Sequence, residues 1–214
     1  MMILLADPEG VKVSTGQRTL DARRALYRER ILDAAEAEFS RTGYDATKVQ
    51  DVAAAAGLSL ATVYKTFAGK AEIWDELHAA RLASLVGEVE VADAGGTAVD
   101  RVVAGLEATA RYLGTHEAFL DLSLRTRSGW AHSSEVASGV QQSVWTGGIA
   151  MIERALVAAH ASGELRDIRP RIAAGLVVSS LQVWLEEWVE SGRDRPIDEV
   201  VAELAAHVRA TLAR

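Results

Sequence analysis

The sequence predicts an all-α protein, and three observations carry that expectation. Apolar residues recur at helical spacing, as in Tyr27, Ile31, Ala35 and Phe39, and no stretch shows the strict alternation of a strand. Only three prolines interrupt the 214 residues. Breaker residues stand at every junction between periodic windows: Gly43, Gly57, Gly114, Ser128-Gly129, Gly163, Pro170 and Gly192 to Pro196. The pattern reads as about nine helices, arranged as a three-helix N-terminal unit containing a helix-turn-helix and a larger C-terminal bundle.

Residues 1–20 hold Pro8, Gly10 and Gly16 without an apolar period and are expected to form a flexible arm. The first helix is expected from about Ala22 to Thr42, closed by Gly43. The second opens at Thr47, where Thr47-Lys48-Val49-Gln50 has the form of a capping box, and stops at Gly57. A third, capped by Ser59, ends near Lys65. The fourth runs from Lys70 to about Val91 and buries Ile73, Leu77 and Leu85, and the stretch Asp93-Ala94-Gly95-Gly96 is the best linker candidate. Beyond it, helices are expected near 99–114, 116–125, 134–162, 169–191 and 197–212, with Gly147-Gly148 a kink point in the longest.

The composition sets further limits. Absence of Cys excludes disulfides, thiolate chemistry and cysteine zinc sites, and fits a reducing compartment. Met1 to Leu5 is too short an apolar run for a secretory segment, and no later run approaches the roughly 20 residues of a membrane span, so a cytoplasmic location is expected. The net charge of −7 is unevenly spread. Residues 18–70 carry nine basic against seven acidic side chains, whereas residues 71–214 carry thirteen against twenty-one. Arg18, Arg23, Arg24, Arg28 and Arg30 crowd the first helix, so the N-terminal unit is mildly basic on an acidic body. A local field of that sign is compatible with nucleic acid.

The segment AGLSLATVYKTFAGK, residues 56–70, explains what a short helix between two glycines is for. Val52 and Val63 can face each other across two short helices, Ala53 and Ala56 allow close approach, and Gly57 accepts the positive φ of the turn. The remaining face, with Leu60, Ala61, Thr62, Tyr64 and Lys65, is free to enter a major groove about 12 Å wide.

The block from Arg30-Ile31-Leu32-Asp33-Ala34-Ala35 through Phe39-Ser40-Arg41-Thr42-Gly43-Tyr44, Thr47, Val52-Ala53, Ala56-Gly57-Leu58-Ser59, Thr62-Val63-Tyr64, Phe67 and Lys70 resembles the N-terminal domain of the tetracycline-repressor (TetR) family. The resemblance spans about forty-five residues and implies three regions: the arm (1–20), a DNA-binding domain (21–69) and a ligand-binding and dimerisation domain (70–214). It implies DNA contacts from Thr47, Lys48, Gln50, Ser59, Leu60, Ala61, Thr62, Tyr64, Lys65 and Lys70. Thr47 and Lys70 take phosphate positions, and Tyr64 sets its ring against the groove wall. Gln50 either reaches an adenine edge or completes the capping box, and both readings stand. Leu60 and Ala61 can read only thymine methyls or shape, and Lys65 takes guanine or phosphate. Ala61, Thr66, Gly69 and Ala71 depart from the family pattern, which leaves the operator sequence open.

For the C-terminal domain the resemblance implies a small-molecule site and a homodimer built on the last two long helices. Val177, Leu181, Trp184 and Trp188 form an apolar stripe at i, i+4, i+7 and i+11, and Val201, Leu204 and Val208 another; the two are expected at the dimer interface. Tyr112, His116, Phe119, Trp130, Trp145 and Met151 are the candidates to line a mostly apolar pocket for an apolar or aromatic effector. The five histidines lack metal-ligand spacing, and neither a nucleophile elbow nor a phosphate loop is present, so no cofactor, metal or enzymatic activity is expected. The expected protein is a repressor released from a palindromic operator by its ligand. The alternatives are a regulator without a small-molecule effector, or a helical ligand-binding protein or enzyme with a vestigial helix-turn-helix.

Overall fold

A computed structural model describes residues 15–91, 95–126 and 139–214, and among them it is helical with no strand beyond one isolated bridge between Leu165 and Ala213. The elements are α1 (Thr15–Thr42), α2 (Val49–Ala55), α3 (Leu60–Thr66), α4 (Lys70–Val91), α5 (Ala98–Thr115), α6 (Glu117–Thr126), α7 (Gly139–Ala161), α8 (Pro170–Glu190) and α9 (Ile197–Leu212). The first fourteen residues of the expected arm, Asp93-Ala94 of the expected linker and residues 127–138 lie outside the described residues. Helix α1 starts seven residues before the expected Ala22, because Gln17 to Asp21 contains no breaker and Gly16 costs a helix only about 1 kcal/mol. Gly147-Gly148 leaves α7 uninterrupted.

Two apolar cores organise the chain. The first gathers Ile31, Ala35 and Phe39 of α1, Val52 and Ala53 of α2, Val63 of α3, Phe67, and Ile73 and Leu77 of α4. Leu122 of α6 completes it, so the N-terminal unit is closed by a residue from the C-terminal part of the chain. The second core is built by α5 and α7 to α9, with Phe119 and Leu120 of α6. Leu85, expected to be buried, packs against this second core only in part. Helix α4 therefore contributes to both cores, at successive turns.

The stripes expected at a dimer interface pack inside the monomer instead. Val177, Leu181 and Trp188 of α8, and Val201, Leu204 and Val208 of α9, are all buried in the second core. The apolar period is that of the sequence, but a helix in a bundle uses its continuous stripe for its own chain first. Trp184 is half-buried and lies against His207 at a ring separation of 4.7 Å. The outer face of α8 is carried by Ile172, Leu176 and Val183, which are exposed. By length and composition α8 could also cross a membrane, contrary to the sequence reading, yet seven of its residues are buried in the bundle.

The bundle is tightest where α5 meets α9. A β-carbon added at Gly114 would lie 2.3 Å from Cγ1 and 2.5 Å from Cδ1 of Ile197, so Gly114 is fixed by the helix it touches. Gly114→Ala is expected to lower unfolding stability in urea by about 1–3 kcal/mol, the usual cost of overpacking. Shortening Ile197 to Ala in that background should recover part of the loss.

Candidate nucleic-acid interface and effector region

The turn between α2 and α3 is specified residue by residue. The N–H of Leu58 donates to the carbonyl of Ala53 at 2.9 Å and that of Gly57 to Ala54 at 3.0 Å, the paired bonds of a Schellman ending. Gly57 sits at φ +62°. Arg30 closes the same helix end by donating from Nη2 to the Ala56 carbonyl at 2.6 Å, and an added β-carbon at Gly57 would stand 3.1 Å from that nitrogen. Ser59 then caps α3, its Oγ accepting the Thr62 N–H at 3.1 Å and pairing with Thr62 Oγ1 at 2.8 Å. Val52 and Val63 are both fully buried at the contact between the two helices, as their spacing predicts.

With Val63 directed inward, α3 presents Ala61, Tyr64 and Lys65 to solvent, and Tyr64 is 52% exposed. Lys48 and Gln50 are exposed at the start of α2. Leu60, half-buried, packs against the first core, and Thr62 is held by Ser59, which leaves them less to offer a partner than the sequence suggested.

Two expected phosphate contacts are committed elsewhere. Thr47 is only 2% exposed; its Oγ1 donates to the Gly43 carbonyl at 2.7 Å and pairs with Thr42 Oγ1 at 2.8 Å, while its N–H points to Gly43 O at 3.3 Å. The expected Thr47–Gln50 capping box is absent, because the helix begins one residue later. Asp51 closes the turn instead, its Oδ2 accepting the Lys48 N–H at 2.9 Å. Gln50 is thereby freed from capping. Lys70 places its ammonium against three carbonyls, those of Tyr44 at 2.7 Å, Thr47 at 3.0 Å and Asp45 at 3.2 Å, and 4.4 Å from the centre of the Tyr44 ring. An ammonium has three protons, and three acceptors take them. The lysine pins the α1–α2 loop to the first turn of α4.

From that pin an aromatic series crosses between the cores. Trp74 meets Phe39 and Tyr44 edge-on at 5.1 and 4.8 Å, His78 follows at 4.2 Å, and Phe119 of α6 lies 5.7 Å beyond. His78 is buried, with Nδ1 at 2.8 Å from the Trp74 carbonyl, and burial holds its pKa below 6.5. One turn later Arg81 pairs with buried Glu36, its Nε donating to Oε2 at 2.8 Å, and reaches Asp33 at 3.2 Å. The Arg81 carbonyl accepts the Tyr112 hydroxyl at 3.0 Å. One residue of α4 thus touches both α1 and α5.

The effector candidates divide accordingly. Tyr112 is buried, its hydroxyl held by α4, its phenol kept above its ordinary pKa by burial. Its ring stacks on His116 at 4.0 Å, and His116 turns Nδ1 to the Tyr112 carbonyl at 2.8 Å, at the corner between α5 and α6. Phe119 is buried between the two cores. Met151 is 47% exposed, so in this chain it faces outward and lines no interior. Trp130 and the Trp145 side chain lie outside the described residues. Among the described residues no group of three or more His, Asp or Glu side chains could hold a metal ion. His78 and Arg81 were missed by sequence reasoning; their i, i+4, i+7 relation to Trp74 was the available signal.

A short capped helix on a buried valine, with an exposed aromatic and cation, completes a helix-turn-helix. Residues 31–77 match the family described as bacterial regulatory proteins, tetR family, and the N-terminal unit is that family's domain. The fold of the whole chain agrees. It aligns with the ketosteroid regulator KstR2 of Mycobacterium tuberculosis at 22% identity and a TM-score of 0.73, covering 87% of this chain and 95% of that one. SmeT, repressor of the Stenotrophomonas maltophilia multidrug efflux pump SmeDEF, aligns at 24% identity and 0.68, covering 87% and 90%. FadR of Bacillus subtilis, solved with stearoyl-CoA, aligns at 16% and 0.72, covering 86% and 98%. No curated protein sequence matches significantly.

The geometry separates two substitutions that the sequence alone would treat alike. Lys70→Met should destabilise the protein by about 1.5–3 kcal/mol in urea unfolding, through the lost bonds of a charged donor. Tyr64→Ala should leave stability within about 0.5 kcal/mol and weaken DNA binding. For His78 the folded pKa lies below the unfolded one, so as pH falls the folded state takes up fewer protons than the unfolded state. Stability is therefore full above about pH 6.5 and declines below it, and His78→Phe should flatten that slope in denaturation midpoints measured across pH.

Proposed function

We propose that the protein is a homodimeric transcriptional repressor that leaves a palindromic operator when a small molecule binds its C-terminal domain. The exposed Ala61–Tyr64–Lys65 face of α3 is the observation that carries this reading, since that face is free of the core and shaped for a groove. In the proposal, residues 21–69 bind DNA and residues 70–214 bind effector and partner, after a short arm. Gln50, Tyr64, Lys65 and Lys48 make the contacts, and Thr47 and Lys70 hold the loop behind them. Pairing uses the exposed outer face of α8, with Ile172, Leu176 and Val183, because the buried stripes are already spent. A two-fold partner also spaces two recognition helices one DNA turn, roughly 34–36 Å, apart. An apolar effector fits the chemistry of the relatives, one solved with stearoyl-CoA and another repressing a multidrug pump.

A regulator without a small-molecule effector is the second reading. It is favoured by the packing of Tyr112 and Phe119, two of the six pocket candidates, into the protein's own cores. Selection of bound fragments from the organism's sheared genomic DNA tests both. One enriched palindrome is expected, and featureless recovery at moderate salt counts against an operator-specific repressor. Acyl-CoA or aromatic compounds added to that operator complex should then release it at least tenfold, a coupling of about 1.4 kcal/mol. Unaltered affinity at saturating compound, with binding shown by calorimetry, would favour the second reading.

A further inference from the structure

We propose that Arg23 and Arg24, on the projecting N-terminal turns of α1, form a second grip on the DNA backbone beside the recognition helix. The inference rests on the DNA-binding reading above and adds a site to it. Several cations of the N-terminal unit are spoken for: Lys70 by three carbonyls, Arg30 by the Ala56 carbonyl, Arg28 by Glu76 and the Phe67 ring at 4.7 Å, and Arg41 by Glu38. Backbone affinity for DNA comes from lysines and arginines able to replace counterions, so it must be sought among other side chains.

Arg23 and Arg24 meet that need by position. Every residue from Asp21 to Leu26 is exposed, and the first core residue of α1 is Ile31, so these turns bury nothing that accounts for their helical form. Their place relative to α3 is set by Arg28, whose Nη1 donates to the Thr66 carbonyl at 3.4 Å at the end of α3. Arg24 lies one turn earlier on the same face, about 6 Å along the axis, and so flanks that end of the recognition helix. Arg23 is ordered in advance: its Nε donates to the Tyr27 hydroxyl at 2.8 Å and its guanidinium stands 5.3 Å from the ring centre. That leaves the two terminal nitrogens as a fork, the geometry that pairs with phosphate oxygens. The nearby carboxylates are Asp21, which has an interaction of its own, and Glu29.

The test uses the full-length protein and a mixed-sequence duplex of about 30 base pairs, because a phosphate grip is independent of sequence. The slope of log K against log salt should fall by about 0.9 for each phosphate contact removed, hence by about 1.8 in R23A/R24A and about 0.9 in K65A. R23K/R24K should keep the wild-type slope. Circular dichroism monitors the helix, and R23Q/R24Q gives a second polar pair should the alanine variant fail to fold. An unchanged slope in R23A/R24A and R23Q/R24Q, with K65A shifted, overturns the grip while DNA binding by α3 stands. Salt-independent or absent binding by the wild type overturns both.

Discussion

The N-terminal unit depends on one buried-side ammonium. Lys70 draws the carbonyls of Tyr44, Asp45 and Thr47 onto a single charge, and by doing so fixes the loop from which α2 departs. A loop with three carbonyls turned the same way repels itself unless a cation sits among them. The lysine is also the first residue of α4, so the loop's geometry and that helix's starting point are set together. Position and angle of α2 and α3 follow from there, through Val52 against Val63 and the Gly57 turn.

The same helix runs from the loop to the second core. Trp74, His78 and Arg81 succeed one another along α4 and meet, in turn, the first core, Phe119 of α6, and both Glu36 of α1 and Tyr112 of α5. The α5–α6 corner is thereby joined through packed side chains to the first core, on which α3 is seated. The contacts are packed rings and the ion pairs of Arg81 with Glu36 and Asp33, where small shifts are costly.

Much of this was legible in the chain. The all-helical class, the Val52–Val63 contact, the Ser59 cap and the Gly57 turn follow from local chemistry, and local chemistry is what a sequence states directly. What misled was the role of long polar side chains and of apolar stripes. Lys70 and Thr47 look like phosphate ligands until the loop they stabilise is seen, because a cation or hydroxyl at a helix start serves either purpose. The stripe of Val177, Leu181 and Trp188 has the same period whether it faces its own bundle or another subunit. Only the count of neighbouring helices decides, and the outer residues Ile172, Leu176 and Val183 are too few to read as a second stripe. Met151 failed for a simpler reason: residue type suggests a pocket, but orientation on α7 is not in the type.

The contact of Gly114 with Ile197 has a consequence for how the molecule can deform. With only the Ile197 side chain between them at this point, α5 and α9 have no gap to close. They behave as one stiff frame, a fixed wall against which the other helices are mounted. Any volume that a guest molecule demands would then have to be yielded where α5 meets other neighbours, among them α4, α6 and α7, and so the direction of any swelling would be chosen by a missing methyl group.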